Sequence, residues 1–154
     1  MMIYFAGPLF SAAERKFNEE LTAKLEASGF EVYLPQRDGA EKDKSPYDAM
    51  SAEERRRTMF SLDRDKLLQA DIFLFVLDGR VPDEGACVEL GMAYAHKYLD
   101  GKDKILVGLM TDSRAAFPGA KLNPMLSMAL DELWENEDEL LGYLARIQAC
   151  GLRI

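Results

Sequence analysis

The chain predicts a doubly wound α/β domain on a parallel sheet, and three observations carry that reading. Its strand-like segments "MIYFA", "DIFLFVL" and "KILVGLM" are continuous apolar runs, as strands buried on both faces must be. Between them lie amphipathic stretches long enough to act as helical crossovers. The 154 residues suit one domain, 1–154, with a single substantial core.

In order along the chain, "MIYFA" is the first buried strand. "AAERKFNEELTAKLEAS" repeats its apolar residues at helical spacing, and Gly29 closes it. "FEVYL" is the second strand, and "PQRDGAEKDKSPYD" is polar enough to read as a mobile loop. Helical spacing from Ser51 to Gln69 leads into "DIFLFVL", the third strand, and "GACVELGMAYAHKYL" forms the next helix. "KILVGLM" is the fourth strand and "TDSRAAFPGAKL" a loop. The stretch "NPMLSMALDELWENEDELLGYLARI" carries mostly helical periodicity, with only "DELW" to supply a fifth strand. The connection from Thr111 to Leu122 is long for a plain link, which suggests a lid or subunit contact.

Composition narrows the function. With 48% hydrophobic and 30% charged residues the chain is an ordinary globular one, not a disordered one. A net charge of -8 argues against nucleic-acid backbone or an anionic membrane as the main partner, since either calls for a basic face. No segment approaches the ~18 apolar residues of a membrane span, and the N-terminus runs into a strand without a signal-peptide pattern, so a cytoplasmic location is expected. Cys87 and Cys150 share no metal-ligand spacing, and no metal or cofactor is expected. His96 falls on the polar side of its helix and reads as solvated.

In doubly wound sheets, ligands bind beyond the carboxyl ends of the strands where strand order reverses. Three segments converge there: "AGPLFS", "PQRD" and "DGRVPDEGACVE". Gly7 and Pro8 allow a tight turn with close approach to a ligand, and Phe10 follows as an exposed aromatic; a simple turn with a core anchor is the other reading. Glu89 lies between Val88 and Leu90, and Asp83, Glu84 and Gly85 turn the chain into its helix. Glu89 is therefore expected in or near the first turn. There the helix terminus favours the ionised carboxylate by roughly 0.3–1 kcal/mol, while apolar neighbours favour the neutral acid.

Asp83 is six residues upstream and Asp63 lies in the preceding helical segment, so three carboxylates can surround one cavity. Clustered like charges push pKa values apart. Paired carboxylates are also the usual equipment for breaking a bond at an anomeric carbon, where the transition state resembles an oxocarbenium ion. An unbroken helix from Ser51 to Gln69 puts Asp63 part-way down the sheet, whereas a new helix capped by Ser61 lifts it to the edge. Asp65 is its rival for the site, two residues on and facing elsewhere.

Four segments together, "IYFAGPLF", "LQADIFLFVLDG", "DEGACVELGMAYA" and "NPML" at 123–126, resemble the nucleoside 2'-deoxyribosyltransferase family over most of the chain. The most specific element is the acidic loop followed by Gly, three residues and "ELG". The resemblance implies a flavodoxin-like sheet of about five strands with helices on both faces. It also implies transfer of 2-deoxyribose between nucleobases through a covalent glycosyl-enzyme. Glu89 would attack C1', Asp83 and Asp63 would bind and protonate the departing base, and Gln36 would help orient it. Tyr4 and Phe10 would be aromatic walls, with the Tyr4 hydroxyl also on Glu89, and Gly7 would border the substrate. Asn123 and Met125 match a segment that a neighbouring subunit donates to the sugar's 5'-hydroxyl region. The implied partners are deoxyribonucleosides, free nucleobases and further copies of the chain in a homo-oligomer.

Two other readings stand beside it. A deoxynucleoside 5'-monophosphate N-glycosidase of the same superfamily needs a phosphate pocket; Asp83 and Glu84 oppose one, while Arg80 and Ser11 favour it. A non-catalytic nucleotide-binding module of the same fold would want acids or a hydroxyl-rich loop after the first strand, where this chain has "AGPLF".

Overall fold

Along each inner strand, alternate side chains enter opposite layers, and this alternation builds two cores on one sheet. The computed structural model describes residues 1–40, 45–112 and 122–150. Strands β1 (Met2–Ala6), β2 (Glu31–Tyr33), β3 (Ile72–Val76), β4 (Ile105–Leu109) and β5 (Glu132–Trp134) lie in the order β2-β1-β3-β4-β5. Every neighbouring pair is parallel. This is the flavodoxin-like arrangement, with its strand order reversing between β1 and β3. Ile3, Phe5, Ile72 and Leu74 pack with Leu21 and Leu25 of α1 (Ala12–Ala27) and with Leu140 and Leu144 of α6 (Glu137–Cys150). Tyr4, Ala6, Phe73 and Phe75 face the other layer, where Leu67 of α3 (Ala52–Gln69) and Leu90 of α4 (Glu84–Leu99) cover them.

Local sequence starts these helices where the topology needs them. Ser11 caps α1 and Ser51 caps α3, each in a reciprocal box with a glutamate three residues on. Asp83 caps α4, its Oδ1 accepting from the Ala86 amide at 2.8 Å. Gly29, at φ +91°, supplies the left-handed turn after α1. Behind the sheet's other edge, the buried Lys104 ammonium donates to the terminal carbonyls of α3 at Leu67 and Ala70. Burial pulls its pKa down to about 8.

Several expectations change. The "PQRD" segment is a short helix, α2 (Pro35–Asp38), with proline at its start, in place of the loop the polar pattern suggests. The long helical pattern after Asn123 breaks into α5 (Pro124–Ser127), β5 and α6, so the short "DELW" does complete the sheet. The edge strand pairs with β4 along only three residues, and such short pairing leaves little sequence pattern to read. His96 is half-buried, not solvated; its Nδ1 has no hydrogen-bond partner among the described residues, and burial lowers its pKa. Of the connection from Thr111 to Leu122, only Thr111, Asp112 and Leu122 are described, and the lid or subunit contact expected there lies outside the described residues. Among the described residues, no helix is long and apolar enough to cross a membrane.

Candidate active site

Where strand order reverses, the loops after β1 and β3 diverge and leave a cavity of about 230 Å³. Gly7 makes the closest approach. Its φ is +153°, and a Cβ there would sit 3.0 Å from both the Cβ and the carbonyl oxygen of Val76 at the end of β3. Buried Asn18 of α1 holds the neighbouring walls together: its Nδ2 donates to the Pro8 carbonyl at 2.9 Å and to Gln36 Oε1 at 3.0 Å. Small residues at the rim, Gly39, Ala40, Gly85 and Ala86, keep the cavity open between α2, α3 and α4.

Into this space come three carboxylates, Asp63 from α3, Asp83 from the cap of α4 and Glu89 from α4 itself. Glu89 lies in the second turn of α4, just past the first, because the helix starts at Glu84. At that depth the terminal field of the helix has faded. Burial dominates instead and pushes the Glu89 pKa up to about 7, with Asp63 and Asp83 adding repulsion and the Tyr4 hydroxyl opposing both. That hydroxyl donates to Glu89 Oε1 at 2.7 Å. Its own pKa is raised by burial and by the facing carboxylates, so it remains a donor.

Helix α3 runs unbroken through Ser61, and Asp63 lines the cavity from within it, where the Tyr33 hydroxyl donates to its Oδ1 at 2.7 Å. Of the two helices the sequence allows, the unbroken one is therefore present, and Asp63 reaches the cavity from it. Asp65 is exposed and paired with Arg64, so Asp63 is the one that faces the cavity.

The structure brings Glu89, Asp83, Asp63, Gly7 and Phe10 together, with Phe10 at the rim and 73% exposed. It does not bring the rest. Tyr4 is fully buried, stacked between Tyr33 and Phe73, so it lies beneath the cavity and is no wall of it. Gln36 turns away from the cavity, its amide donating to the Arg15 carbonyl at 2.9 Å and to Glu19 at 3.2 Å. Being the second residue of α2 aims it at α1, which a loop reading cannot foresee. Asn123 caps α5 with a bond to the Met125 amide, and Met125 is 80% exposed. The segment lies against the far side of α4, over Cys87, Gly91 and Tyr94.

Residues absent from the sequence reading also take part. Met59 lines the cavity one helical turn before Asp63, a position the i, i+4 spacing could have flagged. Tyr33 carried no such signal, because its place beside Asp63 depends on strand pairing.

Fold and cavity together define a flavodoxin-like α/β protein that gathers carboxylates at its topological switch point, the equipment of glycosyl transfer. The family model described as nucleoside 2-deoxyribosyltransferase matches residues 3–139. The chain belongs to this family of transferases. No curated protein matches the sequence. Among solved structures, a conserved protein from Enterococcus faecalis V583 is similar at 29% identity, over 92% of this chain and 95% of that one, with a TM-score of 0.72. The 2-deoxyribosyltransferase of Bacillus psychrosaccharolyticus shares the fold at 22% identity, over 93% and 92% of the two chains, with a TM-score of 0.73.

Proposed function

We propose that the protein is a nucleoside 2'-deoxyribosyltransferase that exchanges the base of 2'-deoxyribonucleosides through a covalent deoxyribosyl-Glu89 intermediate, with retention. The observation that carries this reading is a carboxylate, gripped by a buried tyrosine, on the wall of a cavity it shares with two aspartates. In the first step a Glu89 oxygen bonds to C1' as the glycosidic C–N bond breaks. The bonding pair leaves with the base nitrogen, which takes a proton from an aspartate. A second base then enters, gives its proton to the same aspartate and displaces Glu89. Two inversions return the original configuration.

A nucleoside suits the site better than a 5'-monophosphate. At the α1 terminus the Phe10 and Ser11 amides donate to the Glu14 carboxylate at 2.9 and 2.6 Å, so an anion already occupies the donors a phosphate would use. Ser11 is engaged as the helix cap, and Arg80 is exposed outside the cavity. Met125 lies over the far side of α4, outside this chain's own cavity, which supports a reading in which Asn123 and Met125 serve a neighbouring copy's cavity in a homo-oligomer of single-domain chains, 1–154, with shared sites. Both cysteines are free, which suits a reducing cytoplasm.

The test is chromatographic. Deoxyinosine incubated with adenine should yield deoxyadenosine with the wild type and none with Glu89→Ala. Release of free base at the same rate without an acceptor would replace transfer by hydrolysis, and deoxynucleoside monophosphates would then be the substrates to try.

A further inference from the structure

The layer beneath the cavity contains a pair of tyrosines, of which Tyr4 holds Glu89 and Tyr33 has as yet no role in the reaction. Tyr4 and Tyr33 are register partners on the parallel strands β1 and β2. Their rings stack with centroids 5.5 Å apart at an interplanar angle of 21°. Each hydroxyl rises to one carboxylate: Tyr4 to Glu89 Oε1 and Tyr33 to Asp63 Oδ1, both at 2.7 Å. Because the two tyrosines share a register, the carboxylates of two different helices are held at one level of the sheet.

We propose that Tyr33 is a positioning residue for base protonation, fixing Asp63 by its Oδ1 so that Oδ2 carries the proton exchanged with the departing and arriving base. This rests on the transferase reading above and adds to it an assignment between the two aspartates. The chemistry follows from which group donates. A phenol that gives its hydrogen to Oδ1 makes Oδ1 an acceptor whether Asp63 is ionised or neutral, so a neutral Asp63 bears its proton on Oδ2. Burial, the hydrogen bond to Asp63 and the charge of Asp63 all raise the Tyr33 pKa, so the hydroxyl stays a donor throughout the working pH range. Asp83 is held differently, because its Oδ1 accepts the Ala86 amide that starts α4 and moving it would disturb the helix.

Tyr33 does not line the cavity and acts only through Asp63. The variant Tyr33→Phe keeps the ring stacked on Tyr4 and removes the hydroxyl alone, which separates positioning from packing. General acid catalysis contributes about 10²–10⁴-fold, so a misaligned Asp63 should lower kcat for deoxyinosine by about 10- to 100-fold with little change in KM.

The decisive comparison uses 7-methyl-2'-deoxyguanosine, whose base is already cationic and leaves as a neutral molecule without taking a proton. Glycosidic cleavage is followed for both substrates, with the spontaneous loss of the methylated base subtracted. Tyr33→Phe should impair deoxyinosine turnover and leave the methylated substrate within about threefold of wild type, since only the first requires the acid. As a second measurement, independent of how well the methyl group is accommodated, Tyr33→Phe/Asp63→Asn should be no slower on deoxyinosine than Asp63→Asn alone. Equal losses on both substrates, or additive losses in the double variant, would mean that Tyr33 only supports the fold and would overturn the proposal. So would undiminished deoxyinosine turnover by Tyr33→Phe. If instead Glu89→Gln retained base exchange, the underlying transferase reading would fail, an outcome distinct from any of these.

Discussion

Replacing Tyr4 by Phe should move the low-pH limb of activity upward, because the Tyr4 hydroxyl is the counterweight to burial at Glu89: it lowers a pKa that desolvation has raised to about 7. A hydrogen bond to a charged group is worth about 1.5–3 kcal/mol. At 1.36 kcal/mol per pKa unit this corresponds to a rise of about one to two units, to a value of about 8–9. Only ionised Glu89 can attack C1', so the rate rises with pH through its pKa. With a one-unit rise, the ionised fraction at pH 6 falls from about one in ten to about one in a hundred, while at pH 9 it changes by about a tenth. Tyr4→Phe should therefore be about tenfold slower than wild type at pH 6 and nearly equal at pH 9. The assay is kcat/KM for deoxyinosine-to-adenine exchange from pH 5 to 9.5, since this parameter reports the free enzyme's groups. The phenyl ring preserves the stack with Tyr33 and Phe73, so packing is a minor term. A uniform loss at every pH with the limb still near 7 would refute the reasoning, as would a wild-type limb near the ordinary glutamate value.

The same raised pKa implies a stability cost. Folding lifts Glu89 from 4.5 to about 7, so stability present below pH 4.5 is lost as pH rises through 7. Glu89→Gln, which can still accept from Tyr4, should be more stable than wild type by up to about 3 kcal/mol at pH 8 and by almost nothing at pH 4, as urea unfolding at the two pH values will read. Gly7→Ala forces a side chain into a left-handed backbone and against Val76; it should cost about 1–3 kcal/mol in the same measurement and weaken substrate binding.

The main elements were legible because their signals are local. Apolar runs such as "DIFLFVL" need both faces covered, and capping residues such as Ser51 and Asp83 state where helices begin. The position of Glu89 at the switch point followed from topology, as did the nearness of Asp83. The depth of Asp63 was not legible, because the sequence allowed both an unbroken helix and one capped anew at Ser61, and only the structure shows the helix continuous. What failed was side-chain aim over short elements. Four residues of α2 turned Gln36 toward α1, and a fully buried β1 placed Tyr4 beneath the cavity floor.

By itself, then, the sequence determined the layered parallel sheet, the helix starts and the placing of Asp83 and Glu89 at one edge, because each depends on periodicity or on neighbours a few residues away. Only the tertiary structure decided which of those carboxylates each tyrosine holds and how far burial lifts Glu89. Both depend on the register between β1 and β2 and on the depth at which α3 and α4 cross the sheet. Those distances are set by packing between residues 30 and 85 positions apart, as in the Tyr33–Asp63 and Tyr4–Glu89 bonds, and no local pattern encodes them.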